Sequence, residues 1–141
     1  MKKYTIAGVL VACAMLLSVV GVSAHHALQA QFDPDKSLTL TGTLTKIDWV
    51  NPHAYFWLDV KDAKGEVKNW GLETIGPQAL RRAGFTRGPA SFALGETYTF
   101  TGFAAKDGGE RAFTTAVQFP DGRKITIFFG DPKAAGAGAG Q

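Results

Sequence analysis

Between residues 38 and 45 this chain alternates strictly between threonine and either leucine or glycine. This feature constrains the fold most, because a period of two places successive side chains on opposite faces of a β-strand. The alternation then changes phase, since Ile47 and Trp49 have the opposite parity to the leucines before them. A β-bulge near Lys46 accounts for the change, and a bulged strand that contains Gly42 can bend between the two sheet layers of a barrel.

Segments of similar composition recur along the chain and are separated by turn signals, of which Asn51-Pro52 and Pro120-Asp121-Gly122-Arg123 are the clearest. The segments that we predict to be further strands are 54–60, 66–74, 97–103, 112–119 and 124–129. Between the third and fourth strands, the segment from Pro77 to Gly84 has proline in a first-turn position and glycine in a C-cap position. This pattern predicts a helix of about two turns.

The predicted order is three strands, a short helix and two to three further strands. This is the element order of an OB-like Greek-key barrel. We therefore predict a mainly β fold, a small OB-like barrel over residues 37–130. An open β-sandwich or roll built from the same strands is the alternative. Residues 25–36 are predicted to be an N-terminal arm, and the low-complexity segment 131–141 is predicted to be a disordered tail.

The second strand carries aromatic residues on both faces. Phe56 and Leu58 point one way and Tyr55 and Trp57 the other, so one pair belongs to the core. We expect the arm to bury the second pair as well, since large exposed aromatic patches are uncommon on monomers. An exposed stacking platform for an oligomeric ligand is the alternative.

Residues 1–24 have the three zones of a secretory signal peptide: a basic start, an apolar run from 6 to 20, and small residues before Ala24. The apolar run of about 15 residues is shorter than the roughly 20 that span a bilayer. We predict cleavage between Ala24 and His25, a periplasmic or secreted location, and no stable membrane insertion afterwards. An uncleaved anchor and a lipoprotein modified at Cys13 are less favoured, because no stop-transfer cluster follows the run and further apolar residues follow Cys13.

Composition argues against several classes of function. The only cysteine, Cys13, lies in the predicted signal peptide, so the mature chain offers no thiol for a disulfide, a nucleophile or a metal ligand. Loss of Lys2 and Lys3 leaves 13 basic and 12 acidic residues, a net charge of +1, which argues against a nucleic-acid partner. We recognise no activated nucleophile and no acid–base pair, and therefore expect a protein that is not an enzyme.

Several motifs occur together in a fixed order: His25-His26, the strand from Thr41 to Lys46, Trp49-Val50-Asn51-Pro52-His53, Leu80-Arg81-Arg82-Ala83-Gly84 and Pro120-Asp121-Gly122-Arg123-Lys124. In this combination the chain resembles an uncharacterised, largely proteobacterial family of small exported proteins. The resemblance covers nearly all of residues 25–130. It implies export and a small β-rich domain, and it brings no activity, substrate or catalytic residue.

The three histidines, His25, His26 and His53, are the candidate metal ligands. A first-residue histidine can chelate a divalent metal through its α-amine and its ring, and a histidine from the domain would add a third nitrogen. Nitrogen ligands of this kind suit copper above the other divalent metals. Asp33, Asp35 or Glu73 could add an oxygen. Solvated histidines, with His53 capping a turn, are the simpler interpretation.

Two classes of function therefore stand side by side. One is a non-catalytic periplasmic binding module for a transition metal, copper in the first place. The other is an interaction module in which the barrel face, or the helix that carries Arg81 and Arg82, docks another envelope protein. Surface arginines are more often simply solvated.

Overall fold

The computed structural model describes Leu28 and residues 30–88 and 90–128. The predicted signal peptide, His25, His26 and the predicted C-terminal tail lie outside the described residues. The elements run in the order β1 (Phe32–Asp48), β2 (Tyr55–Lys61), β3 (Val67–Glu73), α1 (Pro77–Arg82), β4 (Thr97–Ala105), β5 (Arg111–Gln118) and β6 (Lys124–Thr126). The described part contains no helix that is long and apolar enough to cross a membrane.

The sheet closes on itself. Its hydrogen-bonded order is β3-β2-β1-β4-β5-β6, and an additional pairing joins β3 to β5. The β3–β5 pairing is parallel, with Gly71 opposite Arg111 and Glu73 opposite Phe113, whereas the other pairings are antiparallel. Five strands thus form a ring in the order β1-β2-β3-β5-β4, with α1 between β3 and β4 in the chain. The prediction of a small β-barrel is confirmed.

The long first strand bends where the sequence predicts a bulge. Leu44 lies opposite Leu58 and Lys46 opposite Trp57, so Thr45 is the extra residue on β1. The Thr45 hydroxyl donates a hydrogen bond of 3.0 Å to the Trp57 carbonyl, which holds the bulge against β2. The extra residue explains the change of phase in the apolar pattern, because it reverses the face on which the following side chains lie.

The first strand begins earlier than the predicted domain boundary at residue 37. Phe32 already pairs with Ala105 of β4, and a register irregularity lies between Phe32 and Ser37. Residues 33–35 of the predicted arm therefore form an irregular stretch within β1. Phe32 is buried with Ala105 and Phe113 in a small second cluster, and this burial explains why the pairing extends so far.

The barrel interior is built mainly from aromatic rings. Phe92 is at its centre, with ring centroids 4.6 Å from Phe56, 5.3 Å from Phe119 and 5.7 Å from Tyr98. Phe56 and Leu58 are fully buried, which confirms that one face of β2 belongs to the core. The other buried members of this cluster are Leu44, Ala54, Leu72, Leu80, Phe85, Phe100, Ala112, Val117 and Ile127.

Candidate functional site

A cavity of about 360 Å³ opens on the outer face of the barrel, where the end of β1 meets β2, β3 and the start of β5. Its volume lies within the range of small-molecule sites. The side chains that Tyr55 and Trp57 present on the outer face of β2 form its wall and are half-buried. Gln31 and Phe32 border the same cavity. The described part of the arm thus adjoins these aromatic rings, which are half-buried, and the expectation that the whole arm buries them stays a prediction because part of the arm lies outside the described residues.

The Trp57 ring packs closely against β3 because a glycine faces it. Gly71 is its partner in the β2–β3 register, and a Cβ atom at residue 71 would lie 3.1 Å from the indole ring. The indole Nε1 donates a hydrogen bond of 2.8 Å to Oδ2 of Asp48. Lys46 also donates to that oxygen, at 2.9 Å, and its ammonium lies 5.6 Å from the Trp57 ring centroid. The Trp57 indole, the platform of this cavity, is therefore held by its packing against Gly71 and by the hydrogen bond to Asp48.

The hydrogen bonds from Lys46 and then from Trp57 lower the pKa of the Asp48 carboxyl below its ordinary value. Hydrogen bonds to the charged form of a carboxyl stabilise that form. Asp48 is consequently an anion at neutral pH. One of its oxygens receives both donors, and Oδ1 has no hydrogen-bond partner within the described part of the chain.

A second polar group lies at the end of β3. The Glu73 carboxylate is buried, with the residue 8% exposed, and it accepts hydrogen bonds on both oxygens. Tyr55 donates to Oε2 at 3.0 Å, and His53 Nδ1 bonds Oε1. Burial raises the pKa of the Tyr55 hydroxyl above 10.0, and the negative charge of Glu73 and its hydrogen bond act in the same direction. The carboxylate thus links the cavity wall to His53.

Backbone contacts fix the loop that carries His53. The Ala54 amide donates to the Ile75 carbonyl at 3.3 Å, and the Thr74 amide donates to the Ala54 carbonyl at 3.0 Å. Gly76 permits this packing, because a Cβ atom there would lie 2.3 Å from the Pro52 carbonyl oxygen. The histidine is therefore held beside the end of β3 by the chain on both sides of it.

The contact with Glu73 determines which nitrogen of His53 is available. A carboxylate accepts a hydrogen bond from Nδ1–H, so the neutral ring carries its proton on Nδ1 and its free lone pair on Nε2. The His53 side chain is 32% exposed, which leaves the ring open to a ligand on one side. A metal-binding histidine characteristically donates its other ring N–H to a carboxylate or carbonyl in this way.

The structure brings together only part of the predicted metal site. Glu73 does contact His53, but its carboxylate is hydrogen-bonded to Nδ1 of the imidazole and is not placed as an additional oxygen ligand for a metal. Asp33 forms an ion pair of 3.6 Å with Lys36. Within the described ranges, no group of three or more histidine, cysteine, aspartate or glutamate side chains is arranged to hold a metal ion. Any site that uses His53 therefore needs further ligands from outside those ranges.

Sequence reasoning missed several residues around the cavity, among them Asp48, Gly71 and Arg111. Arg111 borders the cavity from β5 and forms a salt bridge of 2.6 Å with Asp107. It reaches this position only through the parallel β3–β5 pairing. A usable signal existed for Gly71, because an isolated glycine within a predicted strand often marks a close approach by another group.

The helix arginines that the sequence analysis offers for docking another protein are exposed. Arg81 and Arg82 lie in the last turn of α1, and Arg87 lies in the loop that follows. Over the chain segments that the structure describes, none of these three guanidinium groups forms an ion pair. The face is therefore a set of unpaired positive charges beside the barrel.

The comparisons with known proteins identify a family without assigning an activity. A family model described as a family of unknown function, DUF6152, matches residues 12–114. The matched segment includes the three histidines, the cavity residues from Asp48 to Arg111, and the ring up to the first half of β5. No curated protein matches the chain.

Proposed function

The chain belongs to the DUF6152 family of unknown function, and we propose from its geometry that it is an exported, non-catalytic module that binds a transition metal. The proposed ligands are Nε2 of His53 together with His25 and His26 at the mature N-terminus. Copper in its Cu(II) form is the metal that nitrogen ligands of this kind favour most. The predicted cleavage after Ala24 is part of the proposal, because it frees the α-amine of His25.

The observation that carries the proposal is the hydrogen bond between Nδ1 of His53 and the carboxylate of Glu73. The buried carboxylate orients the imidazole and fixes its tautomer, and both effects favour a metal on the opposite nitrogen. A histidine that only capped a turn would need no buried anion behind its ring. Burial of that anion is costly unless its partners are well placed, and here two donors are in place.

The attachment of the N-terminal arm supports the same site. Leu28 packs against the small second cluster around Phe32. The Lys106 amide donates a hydrogen bond of 2.9 Å to the Gln31 carbonyl. Gln31 and Glu73 border one cavity, so the arm is attached to the barrel on the side where the partner of His53 lies. Leu28 is three residue steps from His25, about 10 Å of extended chain. The described part of the arm is thus anchored close in sequence to the proposed N-terminal ligands, on the side of the barrel that carries Glu73.

The test is calorimetry with Cu(II) on the processed protein that begins at His25. A variant with one alanine added before His25 and the His53→Ala variant should both lose affinity, since each removes a ligand. Glu73→Gln keeps the shape of the side chain and should weaken binding about 10-fold to 100-fold through loss of its support for the ring. Asp121→Asn is the matched control, because it alters an exposed carboxylate that pairs with Arg123.

Binding should also weaken as the pH falls, because a protonated imidazole cannot ligate a metal. The proposal is wrong if the processed, extended and His53→Ala proteins bind Cu(II) equally. It is equally wrong if none of them binds more tightly than a free His-His peptide. Sequencing of the exported protein should read His-His-Ala-Leu, and a chain that starts at Met1 or is lipidated on Cys13 would remove the α-amine ligand.

The unpaired arginines favour a second candidate function, the docking of another envelope protein on the face formed by Arg81, Arg82 and Arg87. An acidic partner would gain charge-assisted hydrogen bonds there without breaking internal ion pairs. Charge reversal of all three should abolish capture of that partner and leave Cu(II) affinity unchanged. Retention of the partner by the reversed variant would exclude this face.

A further inference from the structure

The cavity beside Trp57 has chemistry that the proposed metal site does not use. Part of its wall is the indole of Trp57, which packs against Gly71 and is fixed at its edge by Asp48. The residues that line the same cavity also include a carboxylate, an amide and a guanidinium, those of Asp48, Gln31 and Arg111. A rigid aromatic surface with a few fixed polar groups at its rim is the usual composition of a small-molecule site.

The charges at the rim already have partners. Asp48 pairs with Lys46, Arg111 pairs with Asp107, and the Glu73 carboxylate holds two hydrogen bonds. An ionic ligand would have to compete with these contacts, and the closeness of both signs would cancel most of its attraction. The balance of charge therefore favours a neutral ligand.

Hydrogen-bonding capacity remains at the same rim. Three side chains have polar atoms without a hydrogen-bond partner in the described residues. These atoms are Oδ1 of Asp48, the side-chain amide of Gln31, and the guanidinium nitrogens of Arg111 other than Nη2. Together they offer both acceptors and donors. A neutral ligand that carries several hydroxyl groups can satisfy both kinds at once.

We infer that this cavity binds a neutral sugar ring, one pyranose unit of an oligosaccharide, stacked on Trp57. A pyranose presents a face of C–H groups whose weak positive charge complements the negative face of the indole. Its hydroxyl groups project from the ring edge, where Asp48, Gln31 and Arg111 lie. This inference does not rest on the proposed metal function, because none of these groups is a proposed metal ligand.

The test is titration of the processed protein with cellotriose and with tri-N-acetylchitotriose, followed by NMR and performed in EDTA. At least one trisaccharide should bind and perturb the Trp57 indole N–H. Trp57→Ala should weaken binding by at least about tenfold, the loss expected when a central aromatic contact is removed. Leu94→Ala removes an exposed apolar side chain, 61% exposed, away from this cavity and is the matched control.

Two further variants keep the test decisive if Trp57→Ala does not fold. Gly71→Ala places a Cβ atom 3.1 Å from the ring and should weaken binding by displacing the platform. Gln31→Ala removes one of the unpaired polar groups and should weaken binding with the ring intact. The inference is overturned if neither trisaccharide binds, if the variants bind as the unaltered protein does, or if choline binds more tightly than the sugars. Because EDTA removes the metal, this result is separate from the copper titration.

Discussion

The two faces of β2 have opposite compositions and opposite tasks. Phe56 and Leu58 point inward and are fully buried, and the Phe56 ring packs against those of Phe92 and Phe100. Tyr55 and Trp57 point outward, are half-buried, and each donates a hydrogen bond to a carboxylate. One strand therefore supplies stability on one side and a chemically equipped surface on the other. Substitutions on the two faces should separate loss of fold from loss of binding.

The largest effect is expected from the inner face. Phe56→Ala should lower the free energy of unfolding by about 3–5 kcal/mol, because it leaves a cavity among Phe92 and Phe100. Trp57→Ala should cost less, about 1–2 kcal/mol, since part of the indole already meets water. Urea denaturation followed by circular dichroism measures both. Equal losses for the two variants would contradict the division between the faces.

The next effect concerns the loop that positions His53. In Gly76→Ala the new Cβ would lie 2.3 Å from the Pro52 carbonyl oxygen, so the loop must move. Overpacking of this kind costs about 1–3 kcal/mol, and the movement should also weaken the contact between His53 and Glu73. Gly109→Ala is the control, because its Cβ would meet a side-chain oxygen of Asp107 at 3.3 Å. A shift of the His53 ring resonances in NMR spectra of Gly76→Ala alone would bear out the prediction.

A smaller effect is expected where the outer face is polar. Glu73→Ala leaves Tyr55 and His53 without their acceptor and should cost about 1–3 kcal/mol, whereas Glu73→Gln keeps one acceptor and should cost less. Thermal unfolding compares the two with Asp121→Asn, an exposed change that should cost no more than about 0.5 kcal/mol. If Glu73→Ala unfolds at the same temperature as that control, the outer network contributes nothing to stability.

The smallest effect is a dependence on alkaline pH. The pKa of Tyr55 is raised above 10.0 in the folded protein, chiefly by burial and then by Glu73. The unfolded chain therefore loses this proton first as the pH rises, so the contribution of Tyr55 is present below the unfolded pKa and is lost as the pH rises through the folded pKa. Unfolding measured at about pH 8 and about pH 11 should show a loss that is smaller in Tyr55→Phe.

Much of the fold could be predicted because its signals are local. Alternation along β1 predicts a strand, and the change of parity after Thr45 predicts the bulge that the register shows. Pro77 predicts the beginning of α1 in the same way, since proline suits a first helical turn. The early start of β1 was not predicted, because it depends on the burial of Phe32 against Ala105 and Phe113, which are distant in the chain.

The candidate site could be predicted less completely than the fold, because its residues meet through contacts between distant parts of the chain. His53 could be singled out because histidine is rare in this chain, but its partner Glu73 is 20 residues away and meets it through the β2–β3 hairpin. Arg111 reaches the cavity by a parallel pairing that no local pattern encodes. His25 and His26 lie outside the described residues, so their part in a metal site stays a prediction.

The closure of the ring has a consequence for how this chain behaves in a crowded solution. Two strands pair with the same edge of β5, one after the other along its length. β3 pairs with residues 111–113 and β6 pairs with residues 116–118. The Thr115 carbonyl between them accepts hydrogen bonds from the amides of Ile127 and Phe128. Unpaired strand edges are the templates on which chains aggregate. Pairing with β3 and β6 along one edge and with β4 along the other therefore occupies both edges of β5, which leaves another copy no long edge of this strand to pair with.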